Sequence, residues 1–318
     1  MSSVADAAAT APGGTQAPSE LPDNPFVGPE PLDVGQPLHG RRRETEELSN
    51  LVVGKRIVLL FSPSGAGKTS LIRAGVLGKL QRYDMQALPI VRLGHKDPEC
   101  HRDPTINRYR LAMLSALETM QAEAARRPAR ELCELTLQQY FDACIFESLE
   151  RDAEGRPKYP LLILDQFEEL FVDPLDVACK REFLVELGDL LRGETQGKGG
   201  AEAGAAIWAL FAIREDRLAE LQPYLDFIPT SLAFRYRLDA LGVEAAREVI
   251  RETGKAWIAD DVPKVIVEDL STVSVRAVDG KETLVPGPVV EPVQLQIVCY
   301  AKVALSTRHA GGSNLTNR

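Results

Sequence analysis

The sequence lacks the features that mark several classes of protein. Its five cysteines are scattered, odd in number and contain no C-x-x-C pair, which favours reduced thiols over a disulfide framework. The N-terminus has no basic stretch followed by an apolar one, so it is not a secretory signal. The longest apolar run, Ala205 to Ile213, is far shorter than the roughly 20 residues that span a bilayer. We therefore expect a cytoplasmic protein without a membrane segment.

Basic residues are also fewer than acidic residues. The chain has 37 Lys and Arg against 46 Asp and Glu, a formal net charge of −9. General nucleic-acid binders and membrane-surface binders use a basic face, so neither class is expected. Cys100 lies next to His101, but no second ligand pair at metal spacing follows, and no metal site is predicted there. Hydrophobic residues make up 44% of 318, enough to bury a sizeable core.

Composition and periodicity divide the chain into three parts. Residues 1–24 are rich in Ala, Pro, Gly, Ser and Thr, which predicts a disordered leader. Residues 25–240 alternate amphipathic helices with strands that are apolar on both faces, the pattern of a parallel sheet covered on two sides. Residues 241–318 predict a smaller helical subdomain, with a hairpin from Val273 to Leu284 that turns at Asp279-Gly280. The predicted strands of the sheet are Arg56–Phe61, Pro89–Leu93, Leu161–Leu164, Ile207–Ile213 and Phe234–Leu238.

A glycine-containing loop joins the first strand to a helix. It matches G-x-x-x-x-G-K-[ST] except at its first position, where a serine replaces glycine. Glycines let the backbone N–H groups curl around a phosphate, the lysine reaches β- and γ-phosphates, and the threonine hydroxyl binds Mg²⁺. A plain turn before a helix is the alternative, and the strand–loop–helix context favours the phosphate loop. The predicted binding residues are Ser62, Pro63, Ser64, Gly65, Ala66, Gly67, Lys68, Thr69 and Ser70.

The serine at the start of this loop is a departure from the pattern. If the chain needs a positive φ there, Ser62 should strain the loop, because its Cβ disfavours that conformation.

An acidic segment follows the buried strand Leu161–Leu164. Asp165 stands at the carboxyl end of the strand, the edge at which open α/β sheets bind ligands, and is predicted to hold Mg²⁺. Glu168 and Glu169 come three and four residues later, within reach of an attacking water that a carboxylate can orient or deprotonate. A strand that simply ends in solvated acids is the alternative. The preceding phosphate loop favours the catalytic interpretation.

Arg214 follows the strand Ile207–Ile213 and should reach the same edge. Its guanidinium could stabilise transition-state charge near a γ-phosphate, with Asp216 as the residue that orients it. The alternative, an arginine that pairs with Glu215 or Asp216 at a strand end, is left open. Neither a D-x-x-G after Asp165 nor an N-K-x-D to read guanine is found, so ATP is the expected nucleotide.

Several strings of residues resemble the novel STAND NTPases, a class of P-loop NTPase. They cover residues 24 to 305, and the Asp-Gln-Phe-Glu-Glu-Leu-Phe string is the most specific. The resemblance implies an α/β three-layer P-loop fold and a slow ATPase that acts as a signalling switch, in which ATP controls conformation and homo-oligomerisation. The strings are Asn24-Pro25-Phe26, Leu38 to Glu44, Pro63 to Gly75, Asn107-Arg108-Tyr109, Asp165 to Phe171, Ile213 to Asp216 and Glu291 to Gln296.

The resemblance also implies a role for each matching residue. Gly40 and Arg41 would lie near the adenine and ribose, and Lys68 would bind phosphate. Thr69 and Asp165 would hold Mg²⁺. Glu169, with Glu168, would prepare the water. Arg214 would be the sensor arginine. Pro292 would face the nucleotide from a winged-helix-like arm.

The chain stops at Arg318, where that arm begins. STAND proteins normally continue into a sensor array and often carry an effector domain. We therefore expect a fragment, a truncated gene product or one piece of a split system, with an unknown sensor or effector partner. Two other functions stay open: a module that holds ATP without hydrolysing it, and a small-molecule kinase, for which the sequence offers no acceptor pocket or Arg-rich lid.

Overall fold

The computed structural model describes residues 24–80, 82–94, 106–173, 176–193, 206–276 and 282–312. Its centre is a five-stranded parallel sheet in the order β2-β3-β4-β1-β5. The α/β fold expected from the sequence is confirmed. The strands are β1 (Ile57–Ser62), β2 (Met85–Ala87), β3 (Tyr159–Leu164), β4 (Trp208–Arg214) and β5 (Arg235–Arg237).

Both faces of the sheet are buried, as a parallel sheet requires. In β1, Ile57 and Leu59 face one apolar cluster while Val58 and Leu60 face another, so successive side chains alternate between the two layers. Helices cover both faces. They are α1 (Arg42–Lys55), α2 (Lys68–Ser70), α3 (Leu77–Leu80), α4 (Arg108–Glu118), α5 (Ala129–Leu132), α6 (Leu137–Tyr140), α7 (Phe146–Ser148), α8 (Val177–Arg192) and α9 (Leu218–Leu221).

Two of these helical runs contain a π-helical stretch, and five 3₁₀ segments occur in the described residues. The first π stretch joins α2 to α3 directly behind the predicted phosphate loop, and the second joins α6 to α7. The π stretches are Leu71–Val76 and Phe141–Ile145. The 3₁₀ segments are Glu123–Ala125, Phe167–Phe171, Glu215–Arg217, Gln222–Phe227 and Pro229–Leu232.

The second strand is shifted relative to the prediction. Pro89–Leu93 was expected to be this strand, but β2 ends at Ala87, and the chain rejoins β3 only through an isolated bridge between Val91 and Leu164. Pro89 has no backbone N–H, so it cannot donate to the ladder and interrupts it. Val91 N–H still donates to Ile163 C=O at 2.8 Å, which brings residue 92 to the carboxyl edge of the sheet.

A third apolar cluster lies outside the sheet. It joins Phe26 to residues between Leu241 and Val303. Beyond the sheet, the described residues form three helices, α10 (Val243–Gly254), α11 (Val262–Ser271) and α12 (Pro292–Gly312). They also form two small antiparallel pairs, β6 (Leu241–Gly242) with β9 (Val289–Val290) and β7 (Thr272–Arg276) with β8 (Glu282–Pro286).

This C-terminal part is therefore less purely helical than expected. The hairpin predicted around Val273–Leu284 is present, and its turn at Asp279-Gly280 lies outside the described residues. The structure places α12 where the start of a winged-helix-like arm was expected, and the arm itself stays a prediction. Apart from Asn24, the predicted leader lies outside the described residues, and the boundary at residue 240 stays a prediction. Within the part of the chain that the structure describes, every helix is too short or too polar to cross a bilayer.

Candidate functional site

The predicted phosphate loop leaves β1 at Ser62 and enters α2 at Lys68. Its positive φ angles are at Gly65 (+74°) and Gly67 (+92°), the two positions where glycine carries no penalty. The strain expected at Ser62 was wrong. Ser62 is the last residue of the extended strand β1, in register with Arg214, and it is buried without a positive φ.

Seven of the nine predicted loop residues line a polar cleft, and Ser62 and Pro63 stand behind it. The seven are Ser64, Gly65, Ala66, Gly67, Lys68, Thr69 and Ser70.

Lys68 is held over this cleft by the serine that departs from the motif. Its Nζ donates to Ser62 Oγ at 2.9 Å. Burial lowers the pKa of Lys68 below its ordinary value, and the negative charges of Glu168 and Asp165 oppose that shift. A half-buried ammonium faced by two carboxylates is suited to a polyanion that arrives with its own divalent cation.

Asp165 lies at the end of β3 and is fully buried. Its Oδ2 accepts a hydrogen bond from Thr69 Oγ1 at 2.9 Å, so the two residues predicted to hold Mg²⁺ are in contact. Its Oδ1 is also buried and accepts no hydrogen bond within the described residues. An unpaired buried carboxylate oxygen beside a hydroxyl is a donor set that suits Mg²⁺, a hard cation that prefers oxygen ligands.

No group of three His, Cys, Asp or Glu residues that could enclose a metal occurs in the described part of the chain. A cation here would therefore need oxygens from the nucleotide and from water, as Mg²⁺ usually does in phosphate sites.

Arg214 ends β4 and also lines the cleft. Asp216 forms an ion pair with this guanidinium, which both the sensor interpretation and the strand-end alternative allow. Nε donates to Oδ1 at 3.0 Å and Nη2 to Oδ2 at 2.7 Å, a bidentate pair that fixes the plane of the guanidinium. The ion pair and the position in the cleft therefore exist together.

The two glutamates predicted to prepare water point in different directions. Glu168 lines the cleft, and its Oε2 accepts the backbone N–H of Arg214 at 3.2 Å. Glu169 Oε2 accepts the backbone N–H of Gly94 at 2.6 Å. Burial raises the pKa of Glu169 above its ordinary value, and the Gly94 N–H opposes that shift. The geometry thus separates one carboxylate in the cleft from one that fastens a neighbouring loop.

The cleft also has lining residues that were not predicted from the sequence, among them Arg92 and Gln166. Arg92 Nη2 donates to Asp165 Oδ2 at 3.1 Å, and Gln166 follows Asp165 with a positive φ of 54°. A signal for Arg92 existed, since it stands near the end of the predicted second strand and so near the same edge of the sheet. The αL conformation of Gln166 has no such signal, because it depends on the turn from β3 into the 3₁₀ segment.

Asn107, Arg108 and Tyr109 fasten the acidic segment from behind. Asn107 caps α4 and donates its Nδ2 to Cys179 C=O at 2.9 Å. Arg108 forms ion pairs with two aspartates at the start of α8, and Tyr109 Oη donates to Leu170 C=O at 3.2 Å. This string therefore supports the site without lining it.

A second, mostly apolar cavity adjoins the polar cleft and shares Ala66, Gly67 and Ser70 with it. Arg41 lines it, but its side chain is already engaged. Its Nη2 donates to Ala66 C=O at 3.1 Å and to Asp239 C=O at 2.7 Å. Gly40 is not in the lining; it has φ +69°, and a Cβ there would lie 2.8 Å from Ala245 C=O.

The start of α12 closes the site from the C-terminal side. A Cβ on Gly67 would lie 3.8 Å from Pro292, and one on Gly65 would lie 3.9 Å from Val293. Pro292 and Val293 also line the apolar cavity. Residues from the whole length of the chain thus converge on one two-part cleft, polar at the sheet edge and apolar beside α10 and α12.

Comparisons with known proteins agree on the family and the fold. The family model described as Novel STAND NTPase 1 matches residues 34–274. A comparison with the curated proteins gives no match.

Three solved structures illustrate the likeness of the fold. The Aeropyrum pernix ORC2 protein in its ADPNP–ADP complexes is 15% identical with a TM-score of 0.54, covering 90% of this chain and 69% of that chain. The Walker-type ATPase PABY2304 of Pyrococcus abyssi is 12% identical with a TM-score of 0.50, covering 90% and 76%. The Aeropyrum pernix ORC1 protein in complex with DNA is 13% identical with a TM-score of 0.51, covering 86% and 62%. At these identities the likeness shows the fold alone.

Proposed function

The chain belongs to the novel STAND NTPase 1 family, and on that premise we propose that it binds ATP with Mg²⁺ in the two-part cleft and hydrolyses it slowly as a nucleotide-controlled switch. The observation that carries the proposal is the contact between Thr69 and Asp165 in the cleft that Lys68 also lines. The apolar cavity beside it offers a place for the base. The absence of a guanine-reading motif favours adenine.

Each cleft residue has a distinct task in this proposal. The loop N–H groups and Lys68 bind the β- and γ-phosphates, and Thr69 and Asp165 hold Mg²⁺, which supplies charge neutralisation when bound. Glu168 orients the attacking water and accepts its proton. Arg214, fixed by Asp216, stabilises the charge that develops on the terminal phosphate. Glu169 positions the loop at Gly94 rather than the water.

The switch part of the proposal is supported by the start of α12. Pro292 and Val293 stand within 4 Å of where a Cβ on the loop glycines would be, so a change in the phosphate loop would reach this helix. We propose that the nucleotide state sets the position of α12, and with it homo-oligomerisation and the exposure of a surface for a sensor or effector partner. A cytoplasmic location, based on the scattered cysteines, belongs to the same proposal.

Lys68→Ala tests the binding proposal. Titration calorimetry with ATP and Mg²⁺ should show binding by the wild type and a loss of about a hundredfold in the variant, because at least one strong charge-assisted phosphate contact is removed. Sedimentation of the same samples should show ATP-dependent assembly in the wild type alone.

Lys79→Ala is the matched control. Lys79 lies one helical segment further on, and its ion pair with Glu46 is on the surface. It should bind and assemble as the wild type does. Equal affinity in Lys68→Ala and Lys79→Ala would refute the proposed site. ATP that is bound but released unchanged would favour a non-hydrolysing module instead.

A further inference from the structure

Among the described residues that line the cleft, Arg92 is the one arginine to which the proposed function gives no task. Its guanidinium reaches Asp165 Oδ2 at 3.1 Å, and the side chain is 42% exposed toward the cleft. A guanidinium has five N–H donors in a fixed fork, and the contact with Asp165 uses only one nitrogen, Nη2. Among the described residues the remaining donors have no hydrogen-bond partner, and they can bind a ligand in the cleft.

The backbone fixes where this guanidinium originates. Val91 forms a parallel bridge with Leu164, and Asp165 N–H donates to Val91 C=O at 2.9 Å. Arg92 therefore leaves the sheet beside Asp165, on the side of β3 that faces away from β4 and β1.

The order of strands determines which part of a nucleotide Arg92 can meet. The phosphate loop rises from β1, with β4 and then β3 between it and Arg92. Neighbouring strands are about 4.8 Å apart, so the backbone of Arg92 stands roughly 14 Å along the sheet edge from β1, three strand spacings away. The guanidinium itself extends back to the Asp165 oxygen that Thr69 Oγ1 also contacts, so it reaches the Thr69–Asp165 end of the cleft. A terminal phosphate that extends toward Asp165 therefore comes within its reach.

Among the described residues of the cleft, Lys68 and Arg214 are the other cations, and each already has a partner. Lys68 is held by Ser62, and Arg214 is locked to Asp216 by two hydrogen bonds. These two sit at the β1 and β4 ends of the cleft, so a terminal phosphate would meet Arg214 on one side and Arg92 on the other.

We infer that Arg92 recognises the terminal phosphate and thereby lets the protein distinguish a nucleoside triphosphate from a diphosphate. The inference deepens the proposed function and rests on it. Arg92 keeps Asp165 in place through Nη2 and offers its other N–H groups to the γ-phosphate. A contact of this kind is absent with a diphosphate, which ends short of Arg92.

The test is the selectivity of binding, measured by calorimetry on the whole chain with ATPγS and with ADP, each with Mg²⁺. Arg92→Ala should weaken ATPγS binding about tenfold or more, the worth of one charge-assisted hydrogen bond, and change ADP binding less than about twofold. Arg92→Lys keeps the charge without the fork and should recover part of the selectivity.

Arg156→Ala is the matched control, because Arg156 forms a comparable ion pair with Asp152 at 2.7 Å on the surface. It should leave both affinities unchanged. Equal weakening of ATPγS and ADP by Arg92→Ala would mean that Arg92 only positions Asp165, and would overturn the inference while the proposed function stands. A wild type that binds neither nucleotide would instead refute the proposed function.

Discussion

Glu168 and Glu169 are neighbours in sequence with opposite surroundings. Glu168 faces the cleft beside Lys68 and Arg214, where a water attacking a terminal phosphate would lie. Glu169 is engaged by Gly94 N–H. The sequence offers both carboxylates at plausible spacing, and only the 3₁₀ geometry of Phe167–Phe171 decides which one turns inward.

We expect Glu168→Gln to slow ATP hydrolysis by about 10²–10⁴-fold, the usual worth of a positioned acid–base group, while ATP binding is retained. Glu169→Gln is the matched control, since an amide oxygen can still accept the Gly94 N–H. It should keep most of the activity. Phosphate release in single-turnover assays measures both variants, and the reverse order of effects would assign the base to Glu169.

At this scale the sequence identified most of the cleft but not the hydrogen bonds within it. Lys68, Thr69, Asp165 and Arg214 were found from motif and strand-end position, because both are local properties. Arg92 was missed because its proximity to Asp165 depends on the pairing of two strands that are distant in sequence. Whether the predicted residues act as proposed is for the variants to decide.

The helix that follows the phosphate loop packs tightly against α1. It contains two glycines three residues apart in different surroundings. Gly75 is buried, and a Cβ there would lie 2.7 Å from Thr45 Oγ1 and 3.1 Å from Leu38 Cδ2. Gly78 is exposed, and nothing lies within 4 Å of its Cβ position. Gly75 therefore allows close packing against α1, whereas the Cβ position of Gly78 faces open space.

Gly78→Ala should raise the free energy of unfolding by about 0.5–1 kcal/mol, because alanine loses less backbone entropy in a helix. Gly75→Ala should lower it by about 1–3 kcal/mol, since the methyl group overpacks against Thr45, whose hydroxyl is bonded to Arg41 C=O. Urea denaturation measures both. Equal stability of the two variants would show that α1 shifts to accommodate the methyl group at no cost in free energy.

Most elements were predictable because their periodicity is local. The shortening of β2 was not read from the sequence, although Pro89 is a visible reason for it. The π stretch Leu71–Val76 has no comparable signal in the sequence. Element type was therefore accessible from the sequence, and the irregularities next to the site were not.

The N-terminal segment ties the two halves of the described molecule together. Leu32 N–H donates to Ser70 Oγ at 3.1 Å, which reaches the helix behind the phosphate loop. Asn24 Nδ2 donates to Tyr300 C=O at 2.9 Å and Val27 N–H to Gln296 Oε1 at 3.2 Å, both on α12. Phe26 between these contacts is fully buried in the third cluster.

Phe26→Ala should lower the free energy of unfolding of the third cluster by about 3–5 kcal/mol, the usual cost of removing a buried phenyl ring. Val34→Ala is the control in the same segment, because Val34 is 54% exposed and should change stability by less than about 0.5 kcal/mol. Thermal unfolding followed by near-ultraviolet circular dichroism measures both. Equal melting midpoints for the two variants would show that the Phe26 ring does not hold the N-terminal segment in place.

The arrangement of the elements in the whole molecule was the least predictable feature of the structure. Alternating strands and helices predict a parallel sheet but not its order, because crossovers of similar length can place a strand on either side. The contact of residues 24–32 with α12 joins positions more than 250 apart and has no local signature. Only the physical closeness of these segments makes the cleft a single site.

The cleft is lined by residues of the second apolar cluster (Ala66) and of the third (Leu241 and Leu295), and this has a thermodynamic consequence. A ligand seated there touches the sheet edge, the N-terminal segment and α12 at once, so neither half can melt without losing it. By linkage, a ligand at a hundred times its dissociation constant adds about 2.7 kcal/mol to the unfolding of whatever it bridges. Saturation should therefore merge the melting of the C-terminal helices with that of the sheet into one cooperative transition.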